Sequence, residues 1–351
     1  MRTLPDSKAR RKGPSSRGKG PPWNNAPVRI LITGVAGQDG TILATQVSRQ
    51  GHEVVGLVKP GTDTDLLGRY VPEAEVLACD LADHTRLADI VRDFSPEEIY
   101  NLGGFTSPGD SWDNEKEVTR INVESVRALL SAARRIESTR IFQASSASVF
   151  EGVDIIPQSE RTARSPKSPY ARSKVAAMDL VDAARKDGVF AVSGILYNHE
   201  SPLRGEQFVT RRISMAVARI AVGLQESVEL GDIEVARDWG WAPDYTRAMT
   251  LMLRADVPHD YVLATEISHR LSFFLKKAFQ AVGIINWRDH VTSSAERRRE
   301  VDTNLLVGDS SSAYRELGWR HTVGFDEMAA AMVRHDVALL ADPQALWTDF
   351  R

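Results

Sequence analysis

The chain carries a single cysteine, Cys79, in 351 residues, so no intrachain disulfide can form and a cysteine-ligated metal cluster is not expected. Cys79 closes the apolar run Val76-Leu77-Ala78-Cys79, which reads as a buried strand and favours a small core residue over a reactive thiol. No apolar run reaches the roughly 18–20 residues that span a bilayer, which argues for a soluble protein without a membrane partner. Charge of one sign is also missing. With 44 Lys and Arg against 47 Asp and Glu, the net charge of −3 offers no general attraction for nucleic acid or an anionic membrane. There is no internal repeat and no coiled-coil heptad run. What remains is the composition of an ordinary globular enzyme, 42% hydrophobic and 26% charged. The length suits a large domain with a smaller one beside it.

The first 27 residues stand apart. They hold seven basic residues (Arg2, Lys8, Arg10, Arg11, Lys12, Arg17 and Lys19), one acid, and many Gly, Pro and Ser. The segment lacks the apolar region of a secretory signal, and its Gly and Pro oppose the amphipathic helix of a transit peptide. Residues 1–27 are therefore expected to be a disordered basic tail, and the protein cytoplasmic.

From Val28 onward, strands alternate with helices. Strand patterns cover 28–32, 53–58, 75–79, 98–102, 140–145 and 189–197, and helical patterns cover 38–49, 84–93, 118–135 and 168–186. This order predicts an α/β fold, a Rossmann-type doubly wound parallel sheet over about 28–198. After Asn198 the alternation breaks into helices (about 205–223, 268–282 and 324–340) and short strands. Residues 199–351 are expected to be mainly a smaller α/β substrate-binding domain at the carboxyl edge of the sheet, with some chain returning to the Rossmann core.

Thr33-Gly34-Val35-Ala36-Gly37-Gln38-Asp39-Gly40 follows the first strand and opens the first helix. Glycines at that spacing allow a tight turn and let backbone approach a pyrophosphate at the helix N-terminus. Gly34, Gly37, Gln38, Asp39 and Gly40 are accordingly candidate dinucleotide contacts. An acid at the end of the second strand would favour NAD and a base NADP. Lys59 stands there with no acid immediately beside it, so NADP is expected, with NAD left open. Asp80 and Leu81, after the third strand, could meet the adenine edge.

Ser168-Pro169-Tyr170-Ala171-Arg172-Ser173-Lys174 has the cap and first-turn proline of a helix start. Tyr170 and Lys174 share one face of that helix. Ammonium and helix N-terminus would both favour phenolate, lowering the tyrosine from its reference of about 10 and making Tyr170 an acid/base beside a nicotinamide. Lys174 could also hold ribose hydroxyls.

With these motifs the chain resembles an extended short-chain dehydrogenase/reductase, and within that superfamily most resembles the GDP-mannose 4,6-dehydratase family. The glycine turn, Glu98-Ile99-Tyr100-Asn101-Leu102, Gln143-Ala144-Ser145, Asn198-His199-Glu200-Ser201-Pro202, Arg204-Gly205-Glu206, Phe208-Val209-Thr210-Arg211, Arg237-Asp238-Trp239-Gly240 and Leu317-Gly318-Trp319 carry the likeness. It implies a homo-oligomer, dimer or tetramer, acting on GDP-mannose or a related nucleotide sugar. It implies Leu102, His199 and Arg204 beside the cofactor, and Asn198 and Arg237 facing the nucleotide sugar, with Arg237 near its diphosphate. Arg297, in Arg297-Arg298-Arg299, falls where the family places a substrate arginine, though such a run is also what a solvated loop looks like.

The family reaction takes hydride from C4, removes the C5 proton as water leaves C6, and returns hydride to C6. Its stretch Ser-Thr-x-Glu-x-Tyr-Gly reads here Ser145-Ser146-Ala147-Ser148-Val149-Phe150-Glu151. Ser146 can replace the threonine hydroxyl, completing Ser146, Tyr170 and Lys174 as the hydride-transfer set. Ser148 stands where the family's glutamate serves the elimination, and a neutral serine is no general base near neutral pH. Glu151 could substitute only by a different backbone path. Phe105-Thr106-Ser107 and Trp241-Ala242-Pro243 also depart from the family. Three functions stay open: a 4,6-dehydratase, a GDP-sugar epimerase or 4-keto-reductase, and a non-catalytic nucleotide-sugar-binding paralogue.

Overall fold

The structure, a computed structural model, describes residues 27–136, 138–293 and 305–350. The basic tail and Arg297 lie outside the described residues, apart from Pro27 at the end of the tail.

Seven parallel strands make the central sheet: β1 (Arg29–Thr33), β2 (Glu53–Val58), β3 (Glu75–Ala78), β4 (Glu98–Asn101), β5 (Arg140–Ala144), β6 (Phe190–Leu196) and β10 (Tyr261–Leu263). Their order is β10-β6-β5-β4-β1-β2-β3, with the direction of growth reversing between β1 and β4. Helices α1 (Gln38–Ser48), α2 (Asp65–Tyr70), α3 (His84–Phe94), α4 (Glu115–Thr119), α5 (Ser125–Ala133) and α6 (Pro169–Lys186) fill the crossovers. A π turn, Arg120–Glu124, joins α4 to α5.

Both faces of a parallel sheet are covered, which is why β1 and β4 read as nearly unbroken buried runs. Side chains alternate between faces. Ile30 and Ile32 pack with Leu43 and Val47 of α1, whereas Leu31 packs on the other side with Leu87 of α3, Leu129 of α5 and Val181 of α6.

The second half of the chain supplies α7 (Val209–Ala221), α8 (Ala242–Leu253), α9 (Leu271–Gln280), α10 (Ser311–Leu317) and α11 (Phe325–Ala341). A small sheet orders β11 (Ser268–Arg270), β9 (Ala236–Trp241) and β7 (Asn198–Glu200), and β8 (Val228–Leu230) pairs with β12 (Val291–Ser293). Trp239, Trp241, Phe274, Phe279, Met328 and Met332 form the core there. Part of this half belongs to the first core: Tyr245 and Met249 of α8, Tyr261 and Leu263 of β10, and Trp319 pack with Ile30 and Ile32. The helical pattern at 268–282 is divided in the structure, its first three residues pairing with β9 as β11. Among the described residues, no helix is long and apolar enough to cross a membrane.

Candidate active site

Most of the residues singled out in sequence, Arg237 on β9 and the undescribed Arg297 aside, lie near the carboxyl ends of the parallel strands. The glycine turn leaves β1, Lys59 leaves β2, Asp80 and Leu81 follow β3, Leu102 follows β4, Ser146 and Ser148 follow β5, and Asn198 to Arg204 follow β6. This is the crevice in which open α/β sheets bind ligands.

Gly34 turns out of β1 with φ +67°, and a Cβ on it would sit 2.7 Å from Gly103 Cα. A Cβ on Gly40 would fall 2.4 Å from the Gly34 oxygen. Any side chain at either position would displace backbone. Gly37 caps α1 without a side-chain hydrogen bond, so the first turn of α1 meets the crevice as bare backbone. These features fit a pyrophosphate cradle. Thr33 Oγ1 donates to Asn101 Oδ1 at 2.6 Å and accepts from Gly103 N at 2.9 Å, while Asn101 Nδ2 donates to Gln143 Oε1 at 2.7 Å. This chain locks the ends of β1, β4 and β5 in register below the cradle. Lys59 is exposed and begins a turn closed by Thr62 N donating to its carbonyl at 3.0 Å. Asp80 Oδ1 accepts from Ala82 N at 2.9 Å.

Asp39 and His199 tie the cradle to the small sheet. His199 Nε2 lies 2.8 Å from Asp39 Oδ2, and Nδ1 lies 2.7 Å from the Tyr197 carbonyl. Both ring nitrogens face acceptors, so the imidazolium satisfies both contacts. Burial opposes that charge, but the Asp39 carboxylate outweighs it and raises the His199 pKa. In return, burial would raise Asp39, yet the His199 charge and hydrogen bond hold it below its ordinary value. Gln38 completes the joint, donating to Asp39 Oδ1 and the His199 carbonyl and accepting from Ser201. Arg204 Nε lies 3.2 Å from Glu200 Oε2, and its guanidinium covers the Phe208 ring.

Ser168 caps α6 by accepting from Ala171 N at 3.1 Å, a contact worth about 1 kcal/mol. Pro169 has no N–H, and Tyr170 N donates to Ser111 Oγ at 3.2 Å. This fixed start carries the Tyr170 phenol into the crevice, where the Ser146 side chain favours its ionised form. Lys174 Nζ donates to the Ala144 carbonyl at 3.0 Å and lies 5.6 Å from the Tyr170 ring centroid. Burial alone lowers the Lys174 pKa to about 8. The expected lowering of the tyrosine is corrected by the fold. Burial pushes the Tyr170 phenol above its ordinary value and Glu151 adds to the rise, against the opposing pull of Ser146 and Arg204. Desolvation of the buried ring outweighs the groups that favour phenolate.

Ser148 is half-buried on the same side of its 3-10 turn as Ser146, whose Oγ lies 3.2 Å from its own. Glu151 does not reach that place. Its buried carboxylate accepts from Lys167 N at 3.1 Å, Ser168 N at 2.9 Å and Ser168 Oγ at 3.1 Å.

Two residues were not anticipated. Asn122, buried in the π turn, accepts from Phe105 N and donates to the Phe105 carbonyl and to Ser173 Oγ, fixing the loop after β4 against α6 beside Lys174. Ser111 receives the Tyr170 N–H. Their only sequence signals are an asparagine inside an apolar helical run and a serine in a loop. Asn198 is exposed at the start of β7, paired with Trp239, and Arg237 lies on the neighbouring strand, half-buried, donating to the Ala236 carbonyl. Among the described residues there is no group of three or more His, Cys, Asp or Glu that could hold a metal.

The fold is shared with a UDP-glucose 4-epimerase of Thermotoga maritima solved with UDP-glucose, at TM-score 0.79 and 20% identity over 89% of this chain and 99% of that one. RMD from Pseudomonas aeruginosa, solved with NADPH, aligns at TM-score 0.72 and 20% identity over 89% and 99%. In sequence, the chain is 40% identical to GDP-mannose 4,6 dehydratase 1 of Arabidopsis thaliana over 88% of this chain and 90% of the plant protein. It is 37% identical to the GDP-mannose 4,6 dehydratase of Homo sapiens over 93% and 96%. The sequence model of the GDP-mannose 4,6 dehydratase family matches residues 31–332, and the chain belongs to that family of enzymes.

Proposed function

We propose that this chain binds NADP in the glycine cradle and moves hydride to and from C4 of GDP-mannose or a closely related GDP-hexose. The observation that carries this reading is the convergence of Ser146, Tyr170 and Lys174 on the crevice that the cradle opens into. NADP, when bound, supplies the hydride acceptor. The chain's own residues handle the proton. Tyr170 takes it from the C4 hydroxyl during oxidation and gives it back during reduction, Ser146 orients that hydroxyl, and Lys174 offers ammonium donors to ribose hydroxyls. Asp39, Gln38 and His199 hold the cradle against β7, Arg204 is assigned to the cofactor beside them, and Asn198 and, one strand across, Arg237 are assigned to the nucleotide sugar. Lys59, Asp80, Leu81 and Leu102 are assigned to the ribose and adenine side, Lys59 as the 2′-phosphate partner that makes NADP the preferred form.

Serine at 148 leaves the 4,6-elimination without the family's carboxylate, and Glu151 is committed elsewhere. Hydride transfer is therefore proposed to outrun elimination. A second reading, a GDP-sugar 4-epimerase or 4-keto-reductase, is favoured by the same observation, because those reactions need only the hydride-transfer set. Incubation with GDP-mannose and NADP, followed by product analysis, tests both. A product altered at C4 supports the proposal, with the 6-deoxy-4-keto sugar a minor component. Clear GDP-mannose binding with no turnover would overturn it in favour of a non-catalytic paralogue.

Lys174 gives the site a pH dependence. The ammonium fraction falls as pH rises through about 8. NADP affinity of the unliganded protein should weaken above that value, and Lys174→Met should flatten the profile. Stability runs the other way: the folded lysine loses its proton before the unfolded one, so stability rises from about pH 8 toward the ordinary lysine value of 10.5. Isothermal titration across this range checks the binding effect.

A further inference from the structure

We propose that Glu151 is a positioning residue for the Ser146–Tyr170 pair, its buried carboxylate clamping the turn that carries Ser146 to the N-terminus of the helix that carries Tyr170. The inference rests on the hydride-transfer reading of that pair. Glu151 follows directly on the 3-10 turn Ala147–Phe150, which Ser146 caps. Its partners Lys167 and Ser168 immediately precede α6. Between them the chain leaves and returns, and the neck is closed by backbone as well: Gly152 N donates to the Ser165 carbonyl and Ser165 N to the Val149 carbonyl, both at 2.8 Å.

Within this neck the carboxylate makes three hydrogen bonds, and one of them is a relay. The single Ser168 hydroxyl proton goes to Glu151 Oε1, which turns the Ser168 oxygen lone pairs toward Ala171 N. The cap of α6 is thus set by Glu151. Moving that helix start would swing Tyr170 away from Ser146.

Glu151 also acts on Tyr170 through space. The groups that bear on the phenol are the Ser146 hydroxyl from the end of β5, Arg204 from the segment after β7, and Glu151, with Lys174 on α6 turned to the Ala144 carbonyl. A buried negative charge there disfavours phenolate and so raises the pH at which Tyr170 can take a proton from the C4 hydroxyl.

The experiment uses the NADP-loaded full chain and two variants. Glu151→Gln keeps an oxygen for the two backbone N–H groups but removes the charge; Glu151→Gly removes the clamp. For Glu151→Gln, the acidic limb of the hydride-transfer rate on GDP-mannose, where Tyr170 must be deprotonated to act as the base, is expected to move to lower pH with KM unchanged. For Glu151→Gly, kcat is expected to fall at least tenfold further than for Glu151→Gln. An unchanged pH profile in Glu151→Gln, with only a loss of thermal stability, would overturn the proposal and leave Glu151 a structural staple. The Tyr170 phenol is also titrated directly, by ultraviolet difference between each Glu151 background and the same background carrying Tyr170→Phe. That readout needs no turnover: a downward shift on Glu151→Gln supports the clamp even if GDP-mannose proves not to be the substrate, and no shift refutes it.

Discussion

Ser148→Glu is expected to raise formation of the 4-keto-6-deoxy sugar from GDP-mannose by about 10²–10⁴-fold, the usual contribution of a positioned proton-transfer group. The dehydration needs a base at C5 after C4 has been oxidised, and at position 148 the chain offers a hydroxyl. A serine hydroxyl accepts that proton only if something else first removes its own, and its hydrogen-bonding neighbour is Ser146, another neutral hydroxyl. The position suits a carboxylate physically. Ser148 is half-buried on a short turn, so an introduced glutamate would keep part of its hydration and stay ionised near neutral pH. Product analysis of the wild type and variant under identical loading checks the effect. Equal rates of elimination in the two would mean that another group already removes the C5 proton.

Tyr170→Phe is expected to slow hydride transfer by about 10²–10⁴-fold while leaving the fold intact. The contacts that start α6 use the Tyr170 backbone N–H, which phenylalanine retains. The ring stays buried, and what is lost is the phenol hydroxyl. Lys174→Ala should compound the loss through weaker cofactor binding. Because the two groups act on one cofactor–substrate pair, their effects should not add. The rate at which reduced nicotinamide appears in a single turnover measures both. Activity untouched in the double variant would mean that the chemistry sits elsewhere.

The sheet was legible because parallel strands buried on both faces leave strong apolar runs, and β1 to β6 lie within a residue or two of their sequence limits. The glycine turn was legible because part of its constraint is local: Gly34 has a positive φ, and a Cβ on Gly40 would meet Gly34 and Val35, whereas the contact of Gly34 with Gly103 comes from the end of β4. Strand β10 was missed. It is three residues long, and only its pairing with β6, far away in sequence, distinguishes it from any short apolar segment. Helix α8, which lies outside the helical patterns of the sequence, begins at Ala242 with Pro243 in its first turn and packs on α1.

At the site, residue identity was readable and electrostatics was not. Tyr170 and Lys174 could be placed on one helical face, but the direction of the phenol's shift depends on burial and on Glu151, which the fold brings from another element. In the same way Glu151 looked like a possible base and is instead a clamp, because its partners Lys167 and Ser168 lie across a loop whose path the sequence does not reveal. Asn122 needed the π turn to be seen at all.

The central claim is hydride transfer at C4, and an isotope tests it most directly. The NADP-loaded enzyme is mixed with GDP-mannose carrying deuterium at C4, and the reduced cofactor is released and examined. The account predicts deuterium on the nicotinamide C4 carbon, slower appearance than with unlabelled sugar, and loss of the signal in Tyr170→Phe. Bound GDP-mannose and bound NADP with no deuterium reaching the nicotinamide would contradict it.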